Sequence, residues 1–335
     1  MKRWDATQLA VTVGISILIW ALLAVGCLLV GSGKHVWPSD PYARRARIEI
    51  VLMASLVGAA LASSGTVYQA ILQNPLADPY LLGVSSGATL AAYLWRFPAL
   101  SATAMHFLGA GISQQAFAFV GAIVAVGIVF SLAGARGKLE PLTLLLVGVI
   151  VNAVAAAVYM LLNSIFRDLP ASGGPYTFLV GGLQTNLTPG QQISAGVCVG
   201  VGWIVLMFLS GQLNVATLSE GEAMSLGVRI HRLRWIALIV ASLIVASAVA
   251  VSGPIGFVGL VCPHLARLVV GRDERRLIPI STALGAGLLA IADAASRKLG
   301  GEHGVDTQLP VGVLTGLLGG PFFLLLLWQN RRRRI

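Results

Sequence analysis

The sequence predicts an all-α polytopic membrane protein, a single domain over residues 1–335 with about ten transmembrane helices plus one short broken helix. Three observations predict it. Hydrophobic residues make up 56% of the chain and charged residues only 11%, where a soluble domain carries about 25%. The mean hydropathy is +0.84. The apolar residues gather in runs of about 20, enough to cross a bilayer core at 1.5 Å per residue, with the basic residues between the runs. This pattern excludes an ordinary cytosolic enzyme, a disordered chain and a nucleic-acid binder. The net charge of +10 reads as a topology signal at a lipid surface.

The first run, residues 9–31, follows Met1-Lys2-Arg3. It is too long for a signal-peptide core and no Ala-x-Ala site closes it, so it reads as a retained span. The second, 49–72, starts after the cluster Arg44–Arg47 and stops before Asn74-Pro75. A short third covers 81–95, the fourth 115–133 and the fifth 141–163. A broken segment near 175–185 lies between Gly173-Gly174-Pro175 and Gly181-Gly182 and is too short to span. Such backbone is tolerated at membrane depth only under protein or against a wet cavity, so it is a candidate pathway element. Spans at 190–211, 234–252, 255–270, 277–295 and 309–328 complete the set. With the N-terminus inside, inside segments hold 15 of the 23 Lys and Arg residues and outside segments 8. That bias predicts both termini in the cytoplasm. Four small-xxx-small spacings, Gly83/Gly87, Gly196/Gly200, Gly312/Gly316 and Gly316/Gly320, suit closely packed helices.

The chemistry-bearing residues are few. Cys27, Cys198 and Cys262, like the five histidines, are scattered without metal-ligand or disulfide spacing. Glu49 and Asp293 stand near span ends, and Asp78 in a loop. Their scarcity counts against an ion-coupled secondary transporter. Asp293 reads either as a residue of such a pathway or as a helix-end partner of Arg297, four residues on. No phosphate-binding Gly-x-x-x-x-Gly-Lys-Ser/Thr string is present, so any ATP and Mg are expected in another chain, with no cofactor in this one. No nucleophile triad or carboxylate pair shares a face, which argues against an enzyme.

The longest inside segment, about 213–234, carries a helix signature. Ser219-Glu220-Gly221-Glu222 is a capping box and Gly227 stands where a C-terminal glycine belongs. The two turns between them, including Ala223 and Leu226, form either a docking element for a partner or a surface helix anchored to headgroups.

At these residues the chain resembles the FecCD-type permease family of vitamin-B12, haem and iron-siderophore ABC importers. The matching strings are Val57-Gly58-Ala59-Ala60-Leu61 with Ser64-Gly65, Asn74-Pro75-Leu76-Ala77-Asp78-Pro79, Leu82-Gly83-Val84-Ser85-Ser86-Gly87-Ala88 and Gly221-Glu222-Ala223 with Leu226-Gly227-Val228. Ser252-Gly253-Pro254-Ile255-Gly256-Phe257-Val258-Gly259-Leu260, Cys262-Pro263-His264, Leu309-Pro310-Val311-Gly312 and Gly320-Pro321-Phe322-Phe323 follow in order. The resemblance implies a multi-pass protein of the bacterial cytoplasmic membrane. It implies a homodimer around one central pathway, served by two cytoplasmic ATPase subunits and an extracytoplasmic substrate-binding protein. The implied cargo is a large metal chelate, iron-siderophore or haem first and corrinoid second. By the same resemblance the cytoplasmic gate lies at Asn74 and Leu76, with Leu142 and Thr143 nearby. ATPase coupling falls to Ser219, Glu220, Glu222, Ala223, Leu226 and Gly227, and binding-protein docking to Arg47 and Arg297. The family's Arg-Leu-Pro-Arg is here Arg47-Ile48-Glu49-Ile50, so Arg44 and Arg45, one turn earlier, are the substitutes for the missing second arginine.

Overall fold

In a computed structural model the described residues are 6–30, 40–108, 113–134, 141–166, 181–183, 187–216, 222, 225, 227–302 and 309–332. Among them the chain forms eleven α-helices and a 3₁₀ turn, Pro79–Leu82. In chain order these are α1 (Ala6–Leu29), α2 (Pro41–Ile71), α3 (Val84–Leu94), α4 (Pro98–Leu108), α5 (Gln114–Ala133) and α6 (Pro141–Ile165). Then come α7 (Pro189–Ala216), α8 (Ile230–Ser252), α9 (Val258–Val270), α10 (Glu274–Glu302) and α11 (Val311–Arg332). Seven of the helices are long and apolar enough to cross a membrane. Three shorter apolar helices, Val84–Leu94, Val258–Val270 and Val311–Phe323, occupy the remaining predicted positions.

α2 is the centre of the bundle. Its start is set by Asp40, whose carboxylate accepts from the Tyr42 and Ala43 amides at 3.2 and 3.3 Å, with Pro41 in the first helical position. The helix therefore begins two turns before the apolar run does. Its 31 residues extend about 46 Å, well beyond a hydrocarbon core of about 30 Å. Across its most apolar 18 residues 83% are buried, against 11% for the same length of α1 and 17% for α6. α2 packs on α10, α8, α9 and α7.

Glycine lets these backbones meet. A Cβ on Gly58 would stand 2.1 Å from the Gly285 carbonyl of α10, and one on Gly65 would stand 1.9 Å from the Gly259 carbonyl of α9. Buried hydroxyls reinforce the crossings: Ser64 donates to the Ala241 carbonyl at 3.1 Å, Ser281 donates to Ala62 at 3.3 Å, and Tyr68 and Ser242 share a 2.6 Å bond. Of the predicted small-xxx-small glycines, Gly87 lies at a crossing, where α3 meets Gly121 of α5. Gly196, Gly200, Gly316 and Gly320 face no neighbour within 4 Å. The close approaches are made by pairs distant in sequence, which local spacing does not encode.

α4 was not expected. Its 11 residues are too few to span, and Pro98 in the first helical position starts it after a break at Arg96-Phe97. Of the broken segment, residues 181–183 are described. They are non-helical and run between the end of α8 and the start of α11: Gly182 donates to the Ser252 carbonyl at 2.9 Å and Gly312 donates to Gly181 at 2.7 Å. The rest of that segment lies outside the described residues.

Candidate gate and coupling site

The turn after α2 is built by its side chains. Pro75 cannot continue the helix. Asn74 accepts the Leu76 amide on its own Oδ1 at 3.0 Å, closing a small side-chain turn, and its carbonyl takes the Ala77 amide at 3.0 Å. Asp78 then caps the 3₁₀ turn by accepting from the Tyr80 amide at 3.0 Å, with Pro79 next. The turn is fastened to α6. Asn152 donates from Nδ2 to the Tyr80 carbonyl at 2.8 Å, while its Oδ1 accepts from Ser86 at 2.6 Å. Leu76 is half-buried; Leu142 and Thr143 open α6, with Leu142 69% exposed. The structure thus joins the 3₁₀ turn that follows Asn74–Leu76 to the middle of α6, ten residues along that helix from Leu142.

Burial pushes the Asp78 carboxyl up to about 6 from its ordinary 3.8, although backbone amides of Tyr80 and Phe257 favour its charge. The folded chain therefore holds this proton more tightly than the unfolded chain. The resulting stabilisation is full below pH 3.8 and is lost as pH rises through about 6. Asp78→Asn is expected to flatten the fall in melting temperature between those two values in detergent. A slope identical to that of the parent would assign the dependence to another group.

Behind the turn runs a second set of polar contacts. Buried Gln69 accepts from Arg267 Nη1 of α9 at 3.0 Å. Gln73 holds a left-handed backbone, φ +48°, and donates from Nε2 to the Ala216 carbonyl at the end of α7 at 3.1 Å. Two residues back, Asn214 donates to Asp273 Oδ1 at 2.7 Å and accepts the Glu274 amide at 2.8 Å. The C-terminal ends of α2, α7 and α9 and the N-terminal end of α10 are thereby brought together.

The predicted coupling segment continues from α7. Ser219, Glu220, Ala223 and Leu226 lie outside the described residues. Glu222 and Ser225 are helical and exposed, and Ser225 donates to the Glu222 carbonyl at 2.7 Å. Gly227 takes φ +77°, the left-handed conformation of a glycine that ends a helix.

The predicted docking arginines divide into two kinds. Arg45 is exposed and pairs with Glu49 at 2.8 Å, one helical turn on. Arg44 is half-buried on the same helix. Arg47 turns inward and donates from Nη1 to the Leu28 carbonyl at 3.2 Å, satisfying the C-terminal end of α1. Arg297 is 7% exposed and pairs with Asp293, itself 3% exposed, at 2.9 Å. Of the two readings of Asp293, the geometry places it in this ion pair.

These features meet a full-length match to known proteins. The FecCD transport family matches residues 38–329. The chain belongs to that family. This FecCD protein is 36% identical to the cobalamin import system permease protein BtuC of Halobacterium salinarum, over 98% of this chain and 88% of that one. It is also 36% identical to the hemin transport system permease protein HmuU of Yersinia pestis, over 90% and 85% of the two chains. A metal-chelate type ABC transporter solved in an inward-facing conformation overlays with a TM-score of 0.78 at 28% identity, covering 96% of this chain and 99% of that chain.

Sequence reasoning about the FecCD protein overlooked Gln69, Gln73, Asn152, Asn214 and Arg267. A signal was present for Gln69 and Asn152: each is an amide inside an apolar run, where a polar side chain must find a partner. None existed for Gln73, whose partner depends on the fold.

Proposed function

We propose that this FecCD protein is the membrane permease subunit of a binding-protein-dependent ABC importer for a large metal chelate. The observation that carries the reading is the match over nearly the whole chain, in sequence and in fold, to permeases of that type, in a chain with no nucleotide-binding motif of its own. Iron-siderophore or haem is the first cargo class and corrinoid the second; a hemin and a cobalamin permease are equally similar, at 36%.

Ten spans with both termini in the cytoplasm fit the basic-residue bias and the helices described. Two copies enclose the pathway. α6, with only 17% of its most apolar 18 residues buried, offers exposed Leu146, Val149, Ile150 and Val154 to a second copy. Two ATPase subunits bind ATP and Mg and press on the segment about 213–234. The two Asn74–Leu76 turns meet across the two-fold axis, where paired leucines shut the pathway by excluding water. Arg44 and Arg45 stand at the outer rim to meet carboxylates of the binding protein, with Arg47 and Arg297 supporting them from within.

The test is uptake into proteoliposomes holding the permease, its ATPase subunits and its binding protein. Uptake of a radioiron siderophore, haem or cobalamin should require ATP inside. Uptake driven by an ion gradient without the ATPase subunits would establish a secondary transporter instead.

A further inference from the structure

We infer that Gln73 is the positioning residue through which the coupling segment moves the gate. The inference rests on the gate and coupling reading above and names the contact that joins them. The segment leaves the bundle at Ala216, the last residue of α7. Carbonyls of a final helical turn lack helical partners, so Ala216 can accept a side-chain donor without loss to its own helix. Gln73 supplies that donor at 3.1 Å.

Gln73 is an unusual residue for its place. Its φ of +48° is disfavoured for any side chain with a Cβ, and glycine would relieve it. The side chain is exposed, so burial does not account for it either. What the glutamine provides is reach: its amide crosses from the end of α2 to the end of α7, between residues 143 apart in sequence. The next residue is Asn74, whose side chain folds the turn around Leu76. One hydrogen bond therefore separates the start of the coupling segment from the residue that shapes the gate.

The neighbouring contacts make this bond a lever. Asn214 fixes the last turn of α7 to Asp273 and Glu274, so α7 and the start of α10 move together. Arg267 fixes Gln69, one turn before Gln73, to α9. α2 is thus held at Gln69, and displacement of Ala216 falls on the short stretch beyond it. Coupling between two sites requires an element that both bias, and the Gln73–Leu76 turn is touched from both sides.

The experiment uses the importer assembled with its ATPase subunits in proteoliposomes and carrying Leu76→Cys. The yield of the disulfide between the two permease copies is measured with and without ATP trapped by vanadate. Gln73→Gly relaxes the backbone and removes the bond; Gln73→Glu keeps the shape but places an acceptor against a carbonyl. Both should continue to hydrolyse ATP while the nucleotide-dependent change in disulfide yield falls at least about 5-fold, the low end of coupling between distant sites. Gln73→Gly should melt no lower than the parent, which separates loss of coupling from loss of fold. A full nucleotide response in both variants would overturn the link alone. No response in the parent carrying only Leu76→Cys would overturn the gate reading, and the link with it.

Discussion

Arg297→Ala is expected to lose most of the folded permease, at a cost of about 3–5 kcal/mol, because it leaves a buried carboxylate without its counter-charge. Asp293 is 3% exposed and its 2.9 Å partner is Arg297, one turn along α10. Arg47 stands close enough for its charge to feel that of Arg297, and it also holds the end of α1 through Leu28. The pair therefore sits where α1, α2 and α10 meet. The double variant Asp293→Leu/Arg297→Met should recover most of the loss, since an apolar pair of similar size often replaces a buried ion pair at little cost. Yield and melting temperature in detergent decide it; parental melting of Arg297→Ala would show that the pair does not hold this corner. Arg45→Glu is the contrast. Its guanidinium is exposed, and such surface pairs contribute under about 1 kcal/mol. Melting should stay put, while association with the binding protein slows and loses salt dependence. Unchanged association would remove Arg45 from the docking rim.

Gly65→Ala is expected to cost about 3 kcal/mol, the upper end of what overpacking does in a well-filled interior. The new methyl would stand 1.9 Å from the Gly259 carbonyl, and a backbone cannot turn aside as a side chain can. α2 and α9 would have to separate, loosening the Gln69 and Arg267 contact below. Gly196→Ala should do the opposite. No atom lies within 4 Å of its Cβ position, and alanine in a helix interior gains about 0.5–1 kcal/mol over glycine. Melting temperatures moving in opposite directions would support the crossing geometry; equal shifts would sink it.

Much of this architecture was legible in the chain because the bilayer imposes a simple rule on length and polarity. The runs at 115–133 and 234–252 needed only that rule: their helices stop at Ala133 and Ser252 as read, and start one and four residues earlier than read. The rule says less about what lies at the ends of helices. Asp40 starts α2 well outside the apolar run, and Pro98 starts a helix too short to cross anything. Within the site, Asn74-Pro75 announces a turn by itself, and Gly227 a helix end. Gln73 could not be read in this way. Its role depends on a left-handed backbone and on a carbonyl 143 residues away, and neither has a local signature. Likewise Gly58 and Gly65 look ordinary until Gly285 and Gly259 arrive opposite them.

The distances in sequence that close around α2 also order the making of the protein. A nascent chain enters the membrane from its N-terminus, so α2 is in place early. The acceptor for Ser64 follows 177 residues later, the hydroxyl for Tyr68 after 174, and the carbonyls that take the Gln69 amide after 190 and 191. Ser63 and Thr66 donate to carbonyls of their own helix from the start, but until α8 and α9 emerge Ser64, Tyr68 and Gln69 lack these partners. Lipid offers none, because its hydrocarbon cannot hydrogen-bond. Insertion of the second helix and completion of its surroundings are therefore separate events. Between them the half-made permease depends on the insertion machinery to shelter its own centre.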